Sequence, residues 1–147
     1  MASEFCYGVS EQSSAGLQRR SDATALLNAG CWRGAMYLAG DLIECTLKTR
    51  LMRQLGCRHL DELGEKLFRR GSISDPRAVY THEFALLMKW SGRLEVIQCD
   101  KSIARLFSKV NRWSPTWRYN AHVASRESAE DYLAAIDEFH SWIQANI

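Results

Sequence analysis

Arg118 and His122 are two residues near the C-terminal end of the chain whose side chains could act together on a phosphate group. An imidazole takes up and releases protons near neutral pH, whereas a guanidinium stays charged and offers a planar fork to phosphate oxygens. Three residues separate the two, so both side chains would lie on one side of a helical turn. Arg–His pairs at this spacing are common by chance, and the spacing alone leaves a catalytic and a structural role open.

Positive charge is concentrated around this pair. The segment from residue 101 to residue 126 contains six basic residues and no acidic one. Arg105, Lys109 and Arg112 recur at i, i+4 and i+7, so on a helix they form one basic stripe. A local positive field attracts a polyanion even when the net charge is only +2. The stripe is either a phosphate-binding surface or an ordinary solvated helix face.

The stretch "CWRGAMYLAGDLIECTLK" predicts a long helix with two kinds of face. Its apolar residues step by three or four and indicate a buried stripe. A neighbouring face carries Tyr37, Asp41, Glu44 and Lys48, at i, i+4, i+7 and i+11. Each glycine inside a helix costs about 0.5–1 kcal/mol relative to alanine. Gly34 and Gly40 therefore indicate a close approach of another element to this helix.

The remaining pattern predicts an all-α, up-and-down bundle of five or six helices. Residues 1–20 are predicted to be a disordered polar lead-in, and residues 21–147 a single domain. We expect helices from Ser21 or Asp22 to about Gly30, from Cys31 to Leu55, from Glu62 to Arg70, after Thr81, after Asp100 and after Ser125. The stretches "GSISDPRAVY" and "SPTWRYNAHVA" are predicted to be loops.

Composition excludes several classes of protein. No run approaches the roughly 18–20 apolar residues that a membrane span needs, and the N-terminus lacks the pattern of a secretory signal. The five cysteines form no CxxC pair, so we expect neither a disulfide framework nor a zinc site, and a reducing cytoplasm fits best. No cofactor or metal ligand set is indicated.

Three blocks, in order, resemble the HEPN family of helical domains. "GAMYLAGDLIECTLK" is similar to the long helix of that family, "THEFALL" to its next shared block, and "WRYNAH" to its Arg-Tyr block. The resemblance covers roughly residues 22–147. It implies an all-α bundle that forms a homodimer. Many members are metal-independent ribonucleases of toxin or defence type, often encoded beside a nucleotidyltransferase partner.

The resemblance also implies roles for individual residues. Arg118 matches the arginine of the family's active motif and would stabilise the phosphate, His122 would be the acid–base group, and Glu44 would hold Arg118 or polarise the cleft. We expect RNA or nucleotide contacts from Arg105, Lys109, Arg112, Asp41, Lys48, Tyr119 and Asn120. His82 is expected to pack or hydrogen-bond at the start of its helix, with a functional role as the alternative.

The spacer between Arg118 and His122 is shorter than in the family's motif, and this departure favours a second hypothesis. In that hypothesis the protein is a non-catalytic dimeric module that binds a nucleotide or holds a nucleotidyltransferase partner. The aromatic residues Trp113 and Trp117 flank the basic segment and are expected mainly in the core, with base stacking as the alternative.

Overall fold

The computed structural model describes residues 8–119 and 124–147, which form seven α-helices and two 3₁₀ helices and contain no β-strand. The α-helices are α1 (Val9–Asn28), α2 (Trp32–Gln54), α3 (Leu60–Arg69), α4 (Phe84–Trp90), α5 (Leu94–Cys99), α6 (Lys101–Val110) and α7 (Arg126–Asn146). The 3₁₀ helices are Pro76–Tyr80 and Pro115–Tyr119. The prediction of an all-α protein is confirmed, with seven α-helices in the described residues where five or six were expected.

Helix α2 is the centre of the bundle. It contacts α1, α3, α4, α7 and the second 3₁₀ helix, and it is buried almost continuously from residue 35 to residue 52. Its predicted apolar stripe is confirmed, because Met36, Ala39, Ile43, Leu47 and Leu51 all lie in the core. The polar face of α2 is buried as well, so its charged residues must find partners inside the protein.

Helix α1 corrects the prediction of a disordered segment at residues 1–20, since residues 9–20 are helical. This helix has little apolar periodicity, because it packs on α2 through small residues. A Cβ at Gly16 would lie 2.9 Å from Cys45 Cβ, so the two backbones approach closely. Arg20 anchors the helix to α7, with two hydrogen bonds of 2.7 Å to the carboxylate of Asp137. Residues 1–7 lie outside the described part of the chain.

The helix ends follow the expected chemistry at several positions. Asp100 accepts hydrogen bonds from the backbone amides of Ser102 and Ile103, and Ser125 forms a capping box with Ser128. The chain turns at Gly30 and Gly56 with positive φ angles of 81° and 66°, which glycine adopts without a Cβ clash. Helix α4 begins at Phe84 rather than directly after Thr81, because Glu83 has an extended backbone and is the residue that precedes the first helical turn. Among the described residues, no helix is long and apolar enough to cross a membrane.

Candidate functional site

A buried ion-pair network lies on the polar face of α2. Glu44 Oε1 is 2.7 Å from Lys48 Nζ, and Glu44 Oε2 is 2.8 Å from His82 Nδ1. The side chains of Glu44 and Lys48 are 12% and 5% exposed, whereas that of His82 is 56% exposed. An ionised carboxylate can only accept, so His82 Nδ1 donates and its Nε2 is turned away from Glu44. The network therefore places one oriented imidazole nitrogen at the surface of the protein.

The segment before α4 brings His82 to this position. Asp75 accepts a hydrogen bond from the backbone amide of Arg77 and begins the 3₁₀ helix, with proline at its first position. Thr81 Oγ1 then accepts from the amide of Glu83, 3.1 Å away, which fixes the turn containing His82. The imidazole also lies edge-on to the ring of Trp113, with centroids 6.4 Å apart. Its orientation is thus set from two sides.

Asp41 forms a second polar pair one turn earlier on α2. Its carboxylate lies 3.4 Å from Arg19 Nε of α1. Burial raises the pKa of Asp41 to about 6, Arg19 lowers it in part, and the charge of Glu44 raises it further. Burial also raises the pKa of the neighbouring Cys45 thiol to about 11, so this thiol stays protonated at neutral pH. The polar face therefore holds one carboxylate, that of Asp41, whose pKa lies well above its ordinary value.

His82 stands between two open cavities. One, of about 400 Å³, is bordered by Arg19 and Gln12 of α1, by Glu44, Cys45 and Lys48 of α2, and by Leu60, Tyr80 and His82. The other, of about 590 Å³, is bordered by residues 81–85 together with Asn111, Trp113, Ser114 and Pro115. Each cavity is large enough for part of a nucleotide. A ligand that bridged them would pass directly over the imidazole.

Trp113 is a structural residue of this site. Its indole nitrogen donates to the backbone oxygen of Tyr37 at 2.8 Å, and its ring stacks between Tyr37 and Phe84, with centroids 5.8 and 5.1 Å apart. Both ring faces are therefore covered, which excludes Trp113 as a base-stacking platform. A Cβ at Gly40 would come within 1.9 Å of the indole. The close contact predicted from the glycine is confirmed, and the approaching element is Trp113.

Arg118 occupies a different place from the one expected. Glu44 does not hold it, since the two oxygens of that carboxylate bind Lys48 and His82. The Arg118 guanidinium instead lies over the Tyr119 ring, 4.8 Å from its centroid, and its charge acts on the Tyr37 side chain. Burial raises the pKa of Tyr37, and Arg118 opposes this effect. Arg118 is exposed, so its charge is accessible to a ligand. His122 and Asn120 lie outside the described residues.

The basic stripe lies on the outer side of α6. Arg105 and Lys109 are exposed there, and Arg112 follows two residues after the helix ends. Within residues 8–119 and 124–147, none of these three side chains forms an ion pair. The opposite side of α6 packs on the bundle through Phe107 and Val110. The stripe is therefore an open positive surface, available to phosphates or to solvent.

Among the described residues, no group of three or more His, Cys, Asp or Glu side chains is arranged to hold a metal ion. Cys31, Cys45, Cys57 and Cys99 are free thiols in that part of the chain.

The sequence predicted a packing or hydrogen-bonding role for His82 but not the partner of its hydrogen bond. The spacing of Tyr37, Asp41, Glu44 and Lys48 predicted a shared face, but nothing in the pattern showed that His82 would join Glu44.

A scan against protein-family models found no match, and searches of curated proteins and of solved structures found none either.

Proposed function

We propose that this protein is a homodimeric, HEPN-type endoribonuclease of the cytoplasm that cleaves RNA beside His82 without a resident metal ion. The observation that carries the proposal is the contact between His82 Nδ1 and Glu44 Oε2 at 2.8 Å, which leaves Nε2 directed toward the surface. An imidazole held in this way can exchange a proton with a bound substrate. The resemblance of three sequence blocks to HEPN domains supports the same reaction class.

The reaction needs three groups around one phosphodiester. A base removes the proton from a ribose 2′-hydroxyl, whose oxygen then attacks the adjacent phosphorus. An acid donates a proton to the departing 5′-oxygen, so the products are a cyclic phosphate and a free 5′-hydroxyl. A cation stabilises the charge that develops on the phosphoryl oxygens. The attack and the departure are thus balanced by one proton removed and one donated.

His82 supplies one of the two proton-transfer groups in this proposal. Glu44 is a positioning residue, because it fixes the ring and its tautomer from the buried side. The second group comes from His122 or from the symmetry-related subunit, since a two-fold axis would bring two such sites together. Arg118 is the exposed cation assigned to the phosphoryl oxygens, and Arg19, 46% exposed, borders the cavity on the other side of His82.

The proposed dimer uses the surface near Arg118. Tyr119 is 77% exposed, and an exposed aromatic ring is a common anchor of protein interfaces. Trp113 cannot serve in this way, because it is 7% exposed and packed within its own subunit. Sedimentation velocity at micromolar concentration tests the dimer, and a monomer under these conditions contradicts this part of the proposal.

One observation favours the second candidate, a non-catalytic nucleotide-binding module. Lys48 and His82 are both paired with the same carboxylate, which is an arrangement that also stabilises a fold without any reaction. Such a module would hold a nucleotide or a nucleotidyltransferase partner. The two candidates differ in whether covalent bonds of RNA are broken.

The test is incubation of the purified protein with end-labelled single-stranded RNA in EDTA, with product ends analysed chemically. The ribonuclease proposal predicts fragments that end in a cyclic phosphate, and the same activity without added metal ions. Intact RNA combined with saturable binding of a nucleotide identifies the second candidate. Activity that EDTA abolishes and a divalent cation restores contradicts the proposed mechanism.

A further inference from the structure

A third cavity lies where α1, α2 and α7 meet, and it shares no residue with the two cavities beside His82. Its volume is about 40 Å³. It is bordered by Ser13 and Leu17 of α1, Leu42, Thr46, Thr49, Arg50 and Arg53 of α2, and His140 and Gln144 of α7. We call this site the basic notch and define it by Thr49, Arg50, Arg53 and His140.

The positive charges of the basic notch are not compensated by acidic residues among the described residues that border the cavity. None of the described residues that border the cavity is acidic. Arg50 and Arg53 form no ion pair within residues 8–119 and 124–147. The carboxylate of Asp137, which acts on His140, is bound by Arg20 at 2.7 Å. Arginines near a helix C-terminus are favourable in themselves, so the charges alone do not define a site.

The buried hydroxyl of Thr49 is the independent observation. Thr49 is 4% exposed, borders the cavity, and its Oγ1 has no hydrogen-bond partner among the described residues. A buried polar group without a partner destabilises the folded state, so its retention calls for an explanation. A bound acceptor in the notch would supply the missing hydrogen bond.

His140 extends the set of donors. The amide nitrogen of Gln144 donates to His140 Nε2 at 3.1 Å, so the neutral ring carries its proton on Nδ1. Burial lowers the pKa of His140, the carboxylate of Asp137 opposes this effect, and the nearby charge of Arg50 lowers the pKa further. An anion beside the ring would offset that positive potential.

We propose that the basic notch binds one tetrahedral oxyanion, a phosphate, either free or at the end of a small phosphorylated molecule. The cavity volume of about 40 Å³ exceeds the roughly 10–15 Å³ that one water molecule needs in a cavity, and it is too small for a nucleoside. Guanidinium groups match phosphate oxygens in geometry, and a threonine hydroxyl can donate to a further oxygen. The site is separate from the proposed ribonuclease site and does not depend on it.

Calorimetric and NMR titration of the full chain with inorganic phosphate and with adenosine 5′-monophosphate tests the proposal. We expect saturable binding with a Kd of about 1 mM or tighter, and amide shifts in α2 and α7 around the notch. If inorganic phosphate binds more tightly, the natural ligand is free phosphate. If adenosine 5′-monophosphate binds more tightly, the natural ligand is a small molecule that ends in a phosphate. Absence of saturable binding by both ligands overturns the proposal.

Variants locate the binding. The double substitution Arg50→Gln and Arg53→Gln should weaken phosphate binding by about tenfold or more, because charge-assisted hydrogen bonds are lost. Arg69→Gln with Arg93→Gln removes the same charge from exposed positions outside the notch and should leave the affinity unchanged. Equal weakening by the two double variants overturns the proposal.

Thr49→Val provides a second test that does not change charge. The side chain is nearly isosteric and its hydroxyl has no partner to lose, so the variant should fold at least as well as the wild type. We expect its phosphate affinity to fall several-fold. A folded Thr49→Val protein that binds phosphate as tightly as the wild type contradicts the assignment of this hydroxyl to the site.

Discussion

Glu44 and His82 lie 38 residues apart in the sequence, and their side chains meet at 2.8 Å. The same carboxylate binds Lys48 through its other oxygen, so a buried acid is compensated by one buried base and one half-exposed imidazole. This relationship connects the core of α2 to the surface between two cavities. It gives the site a rigid buried part and an accessible reactive part.

The raised pKa of Asp41 predicts a pH dependence of stability. The folded state binds this proton more tightly than the unfolded chain, with a pKa of about 6 against 3.8. The contribution of Asp41 to the free energy of unfolding therefore decreases as the pH rises from about 4 to about 6 and is constant above that range. Asp41→Asn should remove this slope and stabilise the protein at pH 7 by about 2 kcal/mol. Urea denaturation at several pH values across this range measures the free energy of unfolding of both proteins.

Asp131→Asn is the control, because that carboxylate is exposed on α7 and forms no ion pair among the described residues. Asp131→Asn should leave the dependence of the free energy of unfolding on pH as it is in the wild type. A wild-type slope in Asp41→Asn would show that Asp41 is ionised alike in the folded and unfolded states.

The contact between Gly40 and Trp113 predicts a large difference between two glycine substitutions in one helix. Gly40→Ala places a Cβ within 1.9 Å of the indole and should cost about 3 kcal/mol or more, through displacement of a packed ring. At Gly34 the Cβ would meet only the end of the Leu26 side chain at 3.3 Å. Gly34→Ala should therefore gain up to about 1 kcal/mol of helix propensity. Equal free energies of unfolding for the two variants would contradict this packing.

The basic stripe predicts a change in the salt dependence of RNA binding. Replacing Arg105, Lys109 and Arg112 by glutamine should lower the log–log slope by about 0.7 for each lost phosphate contact with single-stranded RNA. A matched triple variant, Arg69→Gln, Arg70→Gln and Arg93→Gln, removes three exposed charges elsewhere and should retain the wild-type slope. An unchanged slope in the stripe variant identifies the stripe as a solvated face.

Arg118→Ala should separate catalysis from stability. The guanidinium is exposed and contacts Tyr37 and Tyr119 rather than Glu44, so no buried carboxylate is left unpaired. We expect the free energy of unfolding to change by about 0.5 kcal/mol or less. Cleavage should fall much more than RNA binding, because the charge on the phosphoryl oxygens is largest in the transition state. Equal losses of binding and cleavage would indicate a binding role only.

The sequence predicted the elements whose determinants are local. The limits of α2 were expected at Cys31 and Leu55 and lie at Trp32 and Gln54, because its apolar stripe and its terminal glycine are both encoded within the segment. The caps at Asp100 and Ser125 were likewise predicted from the residues themselves. Helix α5 was not predicted, since six residues are too few to show a period.

The remaining features depend on contacts between distant segments. Helix α1 is held by the close approach of Gly16 to Cys45 and by the pairing of Arg20 with Asp137, neither of which leaves an apolar pattern. The choice of His82 as the partner of Glu44 likewise depends on how the 3₁₀ helix before α4 packs on α3 and how α4 packs on α2. The sequence left two roles for Glu44, holding Arg118 or polarising the cleft, and the described structure pairs Glu44 with Lys48 and His82 rather than with Arg118.

The most direct test of the account is the rate of RNA cleavage by His82→Asn, measured in EDTA at saturating protein. Asparagine can still donate to Glu44, so the fold and the buried network should be retained, and circular dichroism checks this. His59→Asn is the matched control, because His59 is exposed and lies at the start of α3. We predict that His82→Asn cleaves RNA at least about 10²-fold more slowly than the wild type, as expected for loss of a general acid–base group. His59→Asn should cleave at the wild-type rate. A folded His82→Asn protein that cleaves RNA as fast as the wild type would contradict the account.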